Sequence, residues 1–202
     1  IKCVMLNREK AIQSLQSIKK DKFVDYTKHS YIEIQELPFV KKINLRIDPN
    51  DKSSVSSFSK ILRTTLPINA NTYSKNTINE KVIWLGPDEW LIVSDNDNAF
   101  LKLQNKIKDI EASLTDVSEN RTIIRILGNK VFVLLSKFLV LDLEKNLPTQ
   151  SSCAQTLFVK VPILLVRNNS DTHKHEIDIF TNRSHANYVY NLLVDGTKNL
   201  DF

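Results

Sequence analysis

Few residues of this chain have the types and spacing that catalysis requires. A catalytic cysteine needs a nearby base and surroundings that lower its pKa, and no histidine is adjacent to Cys153 in the sequence. The fold would have to bring His29, His173, His175 or His185 to it. We therefore interpret Cys153 as a buried structural thiol.

Metal and redox motifs are equally sparse. His173 and His175 could supply two metal ligands, but three are normally the minimum, and no carboxylate pattern completes the set. Cys3 and Cys153 lie too far apart in sequence for a Cys-x-x-Cys motif. We expect no metal site, and two distant cysteines favour a reducing compartment, the cytoplasm.

Four charged residues gather around one strand start: Asp116, Glu119, Arg121 and Arg125. Acid–base catalysis would need two of these groups in a shared cleft. Because sequence alone shows no such cleft, we expect a local ion pair on a solvated edge.

Glycine content excludes the common nucleotide-binding loops. The chain has 3 glycines, Gly86, Gly128 and Gly196, whereas dinucleotide and Walker loops need clustered glycines for close approach to phosphate. We assign backbone roles to all of them: Gly86 and Gly128 follow strands, and Gly196 stops a helix.

Composition describes a globular chain of one large or two compact domains. Its 202 residues are 42% hydrophobic and 25% charged, with a net charge of +5. The basic excess is spread along the chain, and the strands lack a Gly-rich aromatic RNA-binding signature, so we expect no nucleic-acid partner. The longest apolar run, 131–143, is too short to cross about 30 Å of hydrocarbon, so no membrane partner is expected either.

Periodicity predicts an α+β fold of two side-by-side β-α-β-β-α modules. An amphipathic helix over 7–20 belongs to a docking segment, 1–35, followed by modules at 36–112 and 113–202. In the first module, Ile43, Leu45 and Ile47 share one face of a strand. The other predicted elements are helices at 55–62 (capped by Ser53 or Ser54), 98–112, 129–143 and 184–195, a loop at 67–80, and extended segments at 81–85, 89–94, 114–117, 122–127, 155–161, 163–167 (after a kink at Pro162) and 177–180.

The hairpin around Pro87 contains both tryptophans. If its turn comprises the four residues 86–89, Leu85 pairs with Trp90, and Trp84 and Trp90 then point to opposite faces. One ring would lie under helices. The other would be covered within the chain, by a partner or by a ligand.

The helix predicted to run to about Leu143 is apolar on nearly every side and includes Phe132 and Phe138. A surface helix normally has a polar stripe. This helix is therefore either central to its own fold or buried against another subunit.

Several motifs in a fixed order resemble one family, the gamma subunits of heterotetrameric sarcosine oxidases. The resemblance covers roughly residues 36–195, and its most specific blocks are Leu-Gly-Pro-Asp-Glu-Trp at 85–90 and Cys-Ala-Gln-Thr at 153–156. The further motifs are Glu-Leu-Pro-Phe at 36–39, Ile-Asn-Leu-Arg at 43–46, Thr-Asp-Val-Ser at 115–118 and Arg-Ser-x-Ala-x-Tyr at 183–188. The sequence departs from the family pattern at Ile47, His185 and Asn187.

The resemblance implies an aminomethyltransferase-like (folate-binding-domain-like) fold and a non-catalytic subunit. The complex would demethylate sarcosine oxidatively to glycine, with hydrogen peroxide and formaldehyde or methylenetetrahydrofolate as the other products. FAD and FMN would belong to the beta subunit and its interface with alpha, NAD and tetrahydrofolate to alpha, and zinc to delta. This chain would hold no cofactor itself.

We accordingly expect no catalytic, cofactor-binding or metal-binding residues in this chain. The candidate interface or structural residues are Trp84, Asp88, Trp90, Phe132, Phe138, Cys153, Gln155, Arg183 and Tyr188. Two alternatives stay open: the equivalent subunit of a related N-methyl amino-acid dehydrogenase, and a stand-alone folate-binding protein of aminomethyltransferase type.

Overall fold

Ten strands, five α-helices and one 3-10 helix (Arg183–His185) occur in the part of the chain that the structure, a computed structural model, describes: residues 32–78, 80–107, 110–169, 173–198 and 200. In chain order they are β1 (Ile32–Glu36), β2 (Lys41–Ile47), α1 (Lys52–Leu62), β3 (Tyr73–Lys75), β4 (Lys81–Gly86), β5 (Glu89–Ser94), α2 (Ala99–Lys106), β6 (Ala112–Asp116), β7 (Arg121–Gly128), α3 (Val131–Ser136), α4 (Leu143–Asn146), β8 (Cys153–Phe158), β9 (Val161–Arg167), β10 (His175–Asn182) and α5 (Ala186–Thr197).

The strands form two antiparallel sheets of five strands each. The first sheet has the order β3-β4-β5-β2-β6, and the second has the order β1-β7-β10-β9-β8. Three apolar clusters fill the layers: one between α1, α2 and the first sheet, one between the two sheets, and one between the second sheet and α3, α4 and α5. The chain is thus a helix–sheet–sheet–helix sandwich, which confirms the predicted α+β class.

The two sheets exchange strands at their edges. Strand β1 pairs with β7 in the second sheet, and β6 pairs with β2 in the first. The segment 114–117, expected in the second module, therefore lies in the first sheet, since alternation marks the faces of a strand but not its partner. The division at 36–112 and 113–202 remains a prediction, and the helix predicted at 7–20 lies outside the described residues.

Strand β2 and helix α1 follow the sequence pattern closely. The side chains of Ile43, Leu45 and Ile47 are buried under the helices of the first sheet, as period-two alternation predicts. The helix cap differs from the prediction. The carboxylate of Asp51 accepts the backbone N–H groups of Ser53 at 3.0 Å and Ser54 at 3.2 Å, so the serines lie inside the first turn.

The tryptophan hairpin has its turn at 86–89, as the sequence suggested, but the prediction that Trp84 and Trp90 point to opposite faces is wrong. Trp84 pairs directly with Trp90, Gly86 pairs with Glu89, and the register shifts at Leu85 between them. This β-bulge shifts the pairing of the two strands by one residue, so both indoles face the helices while Leu85 packs into the layer between the sheets.

The apolar segment after β7 is not one long helix. Helix α3 ends at Ser136, and α4 begins at Leu143. The chain's own second sheet and α5 bury Val131, Leu134 and Leu135, whereas Val133 is 54% exposed. Burial within the chain therefore accounts for much of this apolar run, and no described helix is long and apolar enough to span a bilayer.

Three further boundaries differ from the sequence pattern. The segment expected to be a loop at 67–80 contains β3, and the helix expected to reach 112 ends at Lys106. The predicted kink at Pro162 is instead a turn at 159–160, where Val159 has the left-handed value φ 58°. Pro162 itself lies within β9 and pairs with Leu157 at the end of the ladder.

Gly196 permits the close approach of α5 to α3 rather than stopping the helix, which continues to Thr197. A Cβ atom at this position would lie 2.7 Å from Cδ1 of Leu134 and 2.7 Å from Cε2 of Phe138. We expect Gly196→Ala to lower the free energy of unfolding by about 1–2 kcal/mol in urea denaturation. The control Asn191→Ala, on an exposed turn of α5, should leave the free energy of unfolding unchanged or raise it. An equal rise for both variants would contradict the role of Gly196 in the close approach of the helices.

Candidate functional site

A charged cluster lies between the two sheets, around the carboxylate of Asp178 on β10, whose side chain is 2% exposed. Oδ2 contacts Nζ of Lys81 on β4 at 3.0 Å, and Oδ1 accepts a hydrogen bond from Nε of Arg125 on β7 at 2.7 Å. Arg125 also contacts Glu176 at 2.9 Å, and Lys81 donates to the side-chain oxygen of Asn168. Lys81 comes from the first sheet, Asp178, Arg125 and Glu176 come from the second, and Asn168 follows β9, so this cluster joins the sheets.

The cluster is electrically matched. Burial alone would raise the pKa of Asp178, but hydrogen bonds from Arg125 and the charge of Lys81 outweigh it and hold that pKa below its usual range. Burial correspondingly opposes the charge on Arg125, yet its bonds to Asp178 leave the guanidinium pKa raised. The carboxylate is thus stabilised as an anion and is not available as a proton donor near neutral pH.

A second buried charge, Lys42 on β2, lies where the chain crosses between the sheets. The residue is 2% exposed, and Nζ donates to the carbonyl oxygens of Val40 at 3.0 Å and Ser118 at 3.2 Å. Its ammonium also lies 5.0 Å from the centre of the Phe39 ring. The side chain thereby ties the crossover after β1 to the crossover after β6.

Burial lowers the pKa of Lys42 from 10.5 to about 8. The charges of Glu119 and Asp116 oppose this shift, whereas those of Arg183 and Lys41 add to it. Because the unfolded chain keeps the proton up to a higher pH, the unfolding free energy due to this group should rise with pH between about 8 and 10.5.

The difference in unfolding free energy between the wild type and Lys42→Met should therefore grow over this range in favour of the wild type. Urea titrations of both proteins at several pH values measure the difference. Alkaline titration of Cys153 and Tyr73, whose pKa values are raised to about 12 by burial, occurs in both proteins and cancels. If the difference in unfolding free energy between the two proteins stayed constant with pH, the lowered pKa of Lys42 would be contradicted.

Cys153 and Tyr73 lie at a seam that closes one side of the sandwich. The backbone N–H of Tyr73 donates to Ser151 at 2.8 Å, and the N–H of Cys153 donates to Asn71 at 2.9 Å. The Cys153 thiol is 1% exposed, and burial raises its pKa to about 12. Such a thiol is not an activated nucleophile.

The charged residues expected to share one strand edge are separated into independent pairs. Asp116 contacts Lys41 at 3.0 Å, Glu119 contacts Arg183 at 3.6 Å, and Arg125 joins Asp178 inside the sandwich. Arg121 contacts none of these partners. Sequence reasoning missed Asp178 and Lys42, although an aspartate and a lysine at inward positions of otherwise apolar strands were a usable signal.

The remaining candidate residues are dispersed over the fold. Trp90 is buried and donates from Nε1 to the carbonyl of Pro67 at 2.8 Å, whereas Trp84 is half-buried. Asp88 contacts Arg46 at 3.3 Å at the hairpin tip, and the Gln155 amide donates to Leu85 at 2.7 Å across the sheets.

The aromatic candidates near the second sheet also lie apart from one another. Phe132 stacks on His175 with ring centres 4.0 Å apart, and Phe138 stacks on Phe158 at 4.8 Å. Tyr188 is 47% exposed on α5. Within the described ranges, no group of three or more His, Cys, Asp or Glu side chains could hold a metal ion.

Comparison with known proteins identifies the family. The profile described as "Sarcosine oxidase, gamma subunit family" matches residues 46–199. The sarcosine oxidase subunit gamma of Corynebacterium sp. (strain U-96) is 22% identical over 82% of this chain and 78% of the relative. That of Corynebacterium sp. (strain P-1) is 22% identical over 70% of each chain.

Solved structures show the same architecture. A chain of the heterotetrameric sarcosine oxidase from Corynebacterium sp. U-96, in complex with pyrrole 2-carboxylate, matches with a TM-score of 0.74 at 20% identity, covering 85% of this chain and 86% of that one. The glycine cleavage system aminomethyltransferase T from Bartonella henselae matches with a TM-score of 0.62 at 13% identity, covering 81% of this chain and 45% of that one. The profile match runs through both sheets, and the chain is therefore a member of the sarcosine oxidase gamma subunit family.

Proposed function

We propose that this chain is the gamma subunit of a heterotetrameric oxidase that demethylates sarcosine, and that its role there is structural rather than catalytic. The observation that carries the proposal is the family match over residues 46–199. In the complex, the partners would be alpha, beta and delta subunits. The two distant cysteines favour a cytoplasmic location for the assembly.

The chemistry of the described residues supports a structural role. The buried anion Asp178 is held by two cations, and the Lys42 ammonium is held by two backbone carbonyls. The Cys153 thiol, with its pKa raised to about 12, stays protonated at neutral pH. Each of these groups is engaged in a contact inside the fold, which supports the proposed structural role for these residues.

The reaction would take place in the other subunits. Sarcosine would be converted there to glycine, with hydrogen peroxide and formaldehyde or methylenetetrahydrofolate as the other products. FAD and FMN would be bound by beta and its interface with alpha, NAD and tetrahydrofolate by alpha, and zinc by delta. This division leaves the gamma chain to stabilise or position the larger subunits.

Co-expression of alpha, beta and delta with and without this chain tests the role. We expect the three subunits alone to assemble poorly or to lose flavin, and the complete set to oxidise sarcosine with formation of peroxide. The Asp178→Asn variant is the control for a destabilised chain. It should impair assembly only in proportion to its loss of folding stability. Normal assembly and turnover without the chain would refute the scaffold role.

The two alternatives have separate readouts. A related dehydrogenase complex would oxidise an N-methyl amino acid with an added dye as electron acceptor, without producing peroxide. A stand-alone folate-binding protein would bind tetrahydrofolate as an isolated chain in calorimetry. Heat of binding to the isolated chain would favour that alternative over a scaffold.

A further inference from the structure

At one end of the second sheet, a row of inner-face side chains lies outside the apolar cluster between the two sheets. The strand register places Arg121 beside Asn182 and Leu157 beside Pro162, and the pairing of Thr181 with Ile163 brings Asn182 next to Pro162. These four side chains form one row across the inner face. In the next row, the corresponding residues contact the first sheet: Ile123, Phe180 and Leu164.

We call this outer row, together with Val159 at the adjoining turn, the end shelf. Pro162 is exposed, and Leu157 and Val159 are 55% and 46% exposed. Arg121 and Asn182 are half-buried. The end shelf is therefore an apolar surface at its β8–β9 side and a polar surface at its β7–β10 side.

The apolar part of the end shelf includes a strained backbone conformation at Val159, which lowers the stability of the free chain. Val159 adopts φ 58° in the two-residue turn between β8 and β9. A β-branched residue is strained in this left-handed conformation, which glycine or asparagine adopts readily. Strain of this kind is concentrated at functional surfaces, and here it presents an apolar side chain to solvent.

The polar part contains a guanidinium without a partner. The Arg121 side chain makes no hydrogen bond and no ion pair with any described residue, although its backbone pairs with Asn182 in the ladder. Burial lowers its pKa, and Glu89 is the charge that counteracts this effect. Glu89 is itself occupied, because Oε1 accepts from Asn44 at 2.6 Å and Oε2 contacts Arg46 at 2.9 Å. A half-buried guanidinium with free donors is matched by a carboxylate.

We propose that the end shelf docks a segment of a partner subunit that places a carboxylate on Arg121 and an apolar side chain on Leu157 and Val159. This inference rests on the proposed function. A small anion would satisfy Arg121 but leave the apolar side uncovered. A second copy seated shelf on shelf would juxtapose the two Arg121 side chains, since the end shelf has no carboxylate of its own.

The test uses the complex co-expressed with its other subunits and measures the affinity of this chain for them at low and high salt. Arg121→Met and Leu157→Ser should each weaken binding about tenfold or more. Arg121→Met should also flatten the salt dependence. The matched controls are Arg63→Met, an exposed arginine, and Leu101→Ser, which is 57% exposed on α2; both should bind like the wild type.

Val159→Asn separates docking from folding. Because asparagine tolerates the left-handed conformation, this variant should raise the denaturation midpoint of the free chain and still weaken its binding to the other subunits. A purely structural role for Val159 predicts a higher midpoint with unchanged binding, which would count against the end shelf.

The remaining outcomes are distinguishable. Wild-type assembly with end-shelf variants that bind like their controls overturns this inference and leaves the proposed function intact. A free chain that is dimeric in light scattering, and becomes monomeric in Leu157→Ser, replaces the partner subunit by a second copy. Failure of the wild-type chain to assemble with any other subunit overturns both proposals.

Discussion

Asp178→Asn should lower the free energy of unfolding by about 3–5 kcal/mol in urea or thermal denaturation. The substitution removes the anion that faces Lys81 at 3.0 Å and Arg125 at 2.7 Å, and leaves two cations partly buried between the sheets. Because the first and second sheets share this cluster, we also expect the two sheets to lose their cooperative unfolding.

The acid dependence provides an independent readout. The pKa of Asp178 is below its usual value, so its contribution is complete above the unfolded-state pKa of about 4 and is lost as pH falls through the folded-state value. The wild type should lose stability steeply in acid, and Asp178→Asn should show a shallower loss over the same range.

Glu176→Gln is the matched control. Glu176 also contacts Arg125, but its side chain is 25% exposed. The ion pair with Lys81 of the first sheet is made by Asp178 instead. We expect a loss of less than about 1 kcal/mol. Equal losses for both variants would show that burial between the sheets does not distinguish Asp178.

Trp90→Ala should cost about 3–5 kcal/mol of unfolding free energy. The indole is 1% exposed, packs under α1 and α2, and donates from Nε1 to Pro67 at 2.8 Å. Removing it opens a cavity and leaves the Pro67 carbonyl without this donor. Chemical denaturation monitored by circular dichroism measures the loss without relying on tryptophan emission.

Trp84→Ala is the natural comparison, because Trp84 pairs with Trp90 across the same hairpin but is only half-buried. Its loss should be clearly smaller. In Trp90→Phe, Trp84 is the only tryptophan left of the 2 in the sequence. A blue shift of its emission on assembly would support an interface role, whereas unchanged emission would place Trp84 outside any interface. A stability loss from Trp84→Ala that equals the loss from Trp90→Ala would contradict the burial difference.

The local sequence pattern was sufficient to predict an element and its buried face wherever one face of that element is apolar. The alternation of Ile43, Leu45 and Ile47 correctly predicted both the strand and its buried face. Burial of the Cys153 side chain was also readable, since the cysteine begins an apolar strand with no base beside it. The motifs that occur in a fixed order along the sequence resembled the sarcosine oxidase gamma subunit family, and the profile match confirms that family.

At two places, an irregular conformation of a single residue made the prediction from the sequence pattern wrong. One bulge at Leu85 placed Trp84 opposite Trp90 and on the same face, because an extra residue in one strand shifts its pairing with the other strand by one. The left-handed Val159 placed a turn where Pro162 suggested a kink. Neither residue type signals such a conformation locally, and tertiary contacts decided both.

The sequence by itself determined the class of the fold, the family and the apolar faces, since these depend on residue type and spacing over a few neighbours. Only the tertiary structure decided that β1 joins β7, that Lys81 meets Asp178 and that the Arg121 guanidinium has no hydrogen-bond or ion-pair partner among the described residues. The two pairings join residues 88 or more positions apart, and the position of Arg121 depends on how the two sheets pack. No local preference encodes such distances, because the pairing of remote strands is decided by packing of the whole chain.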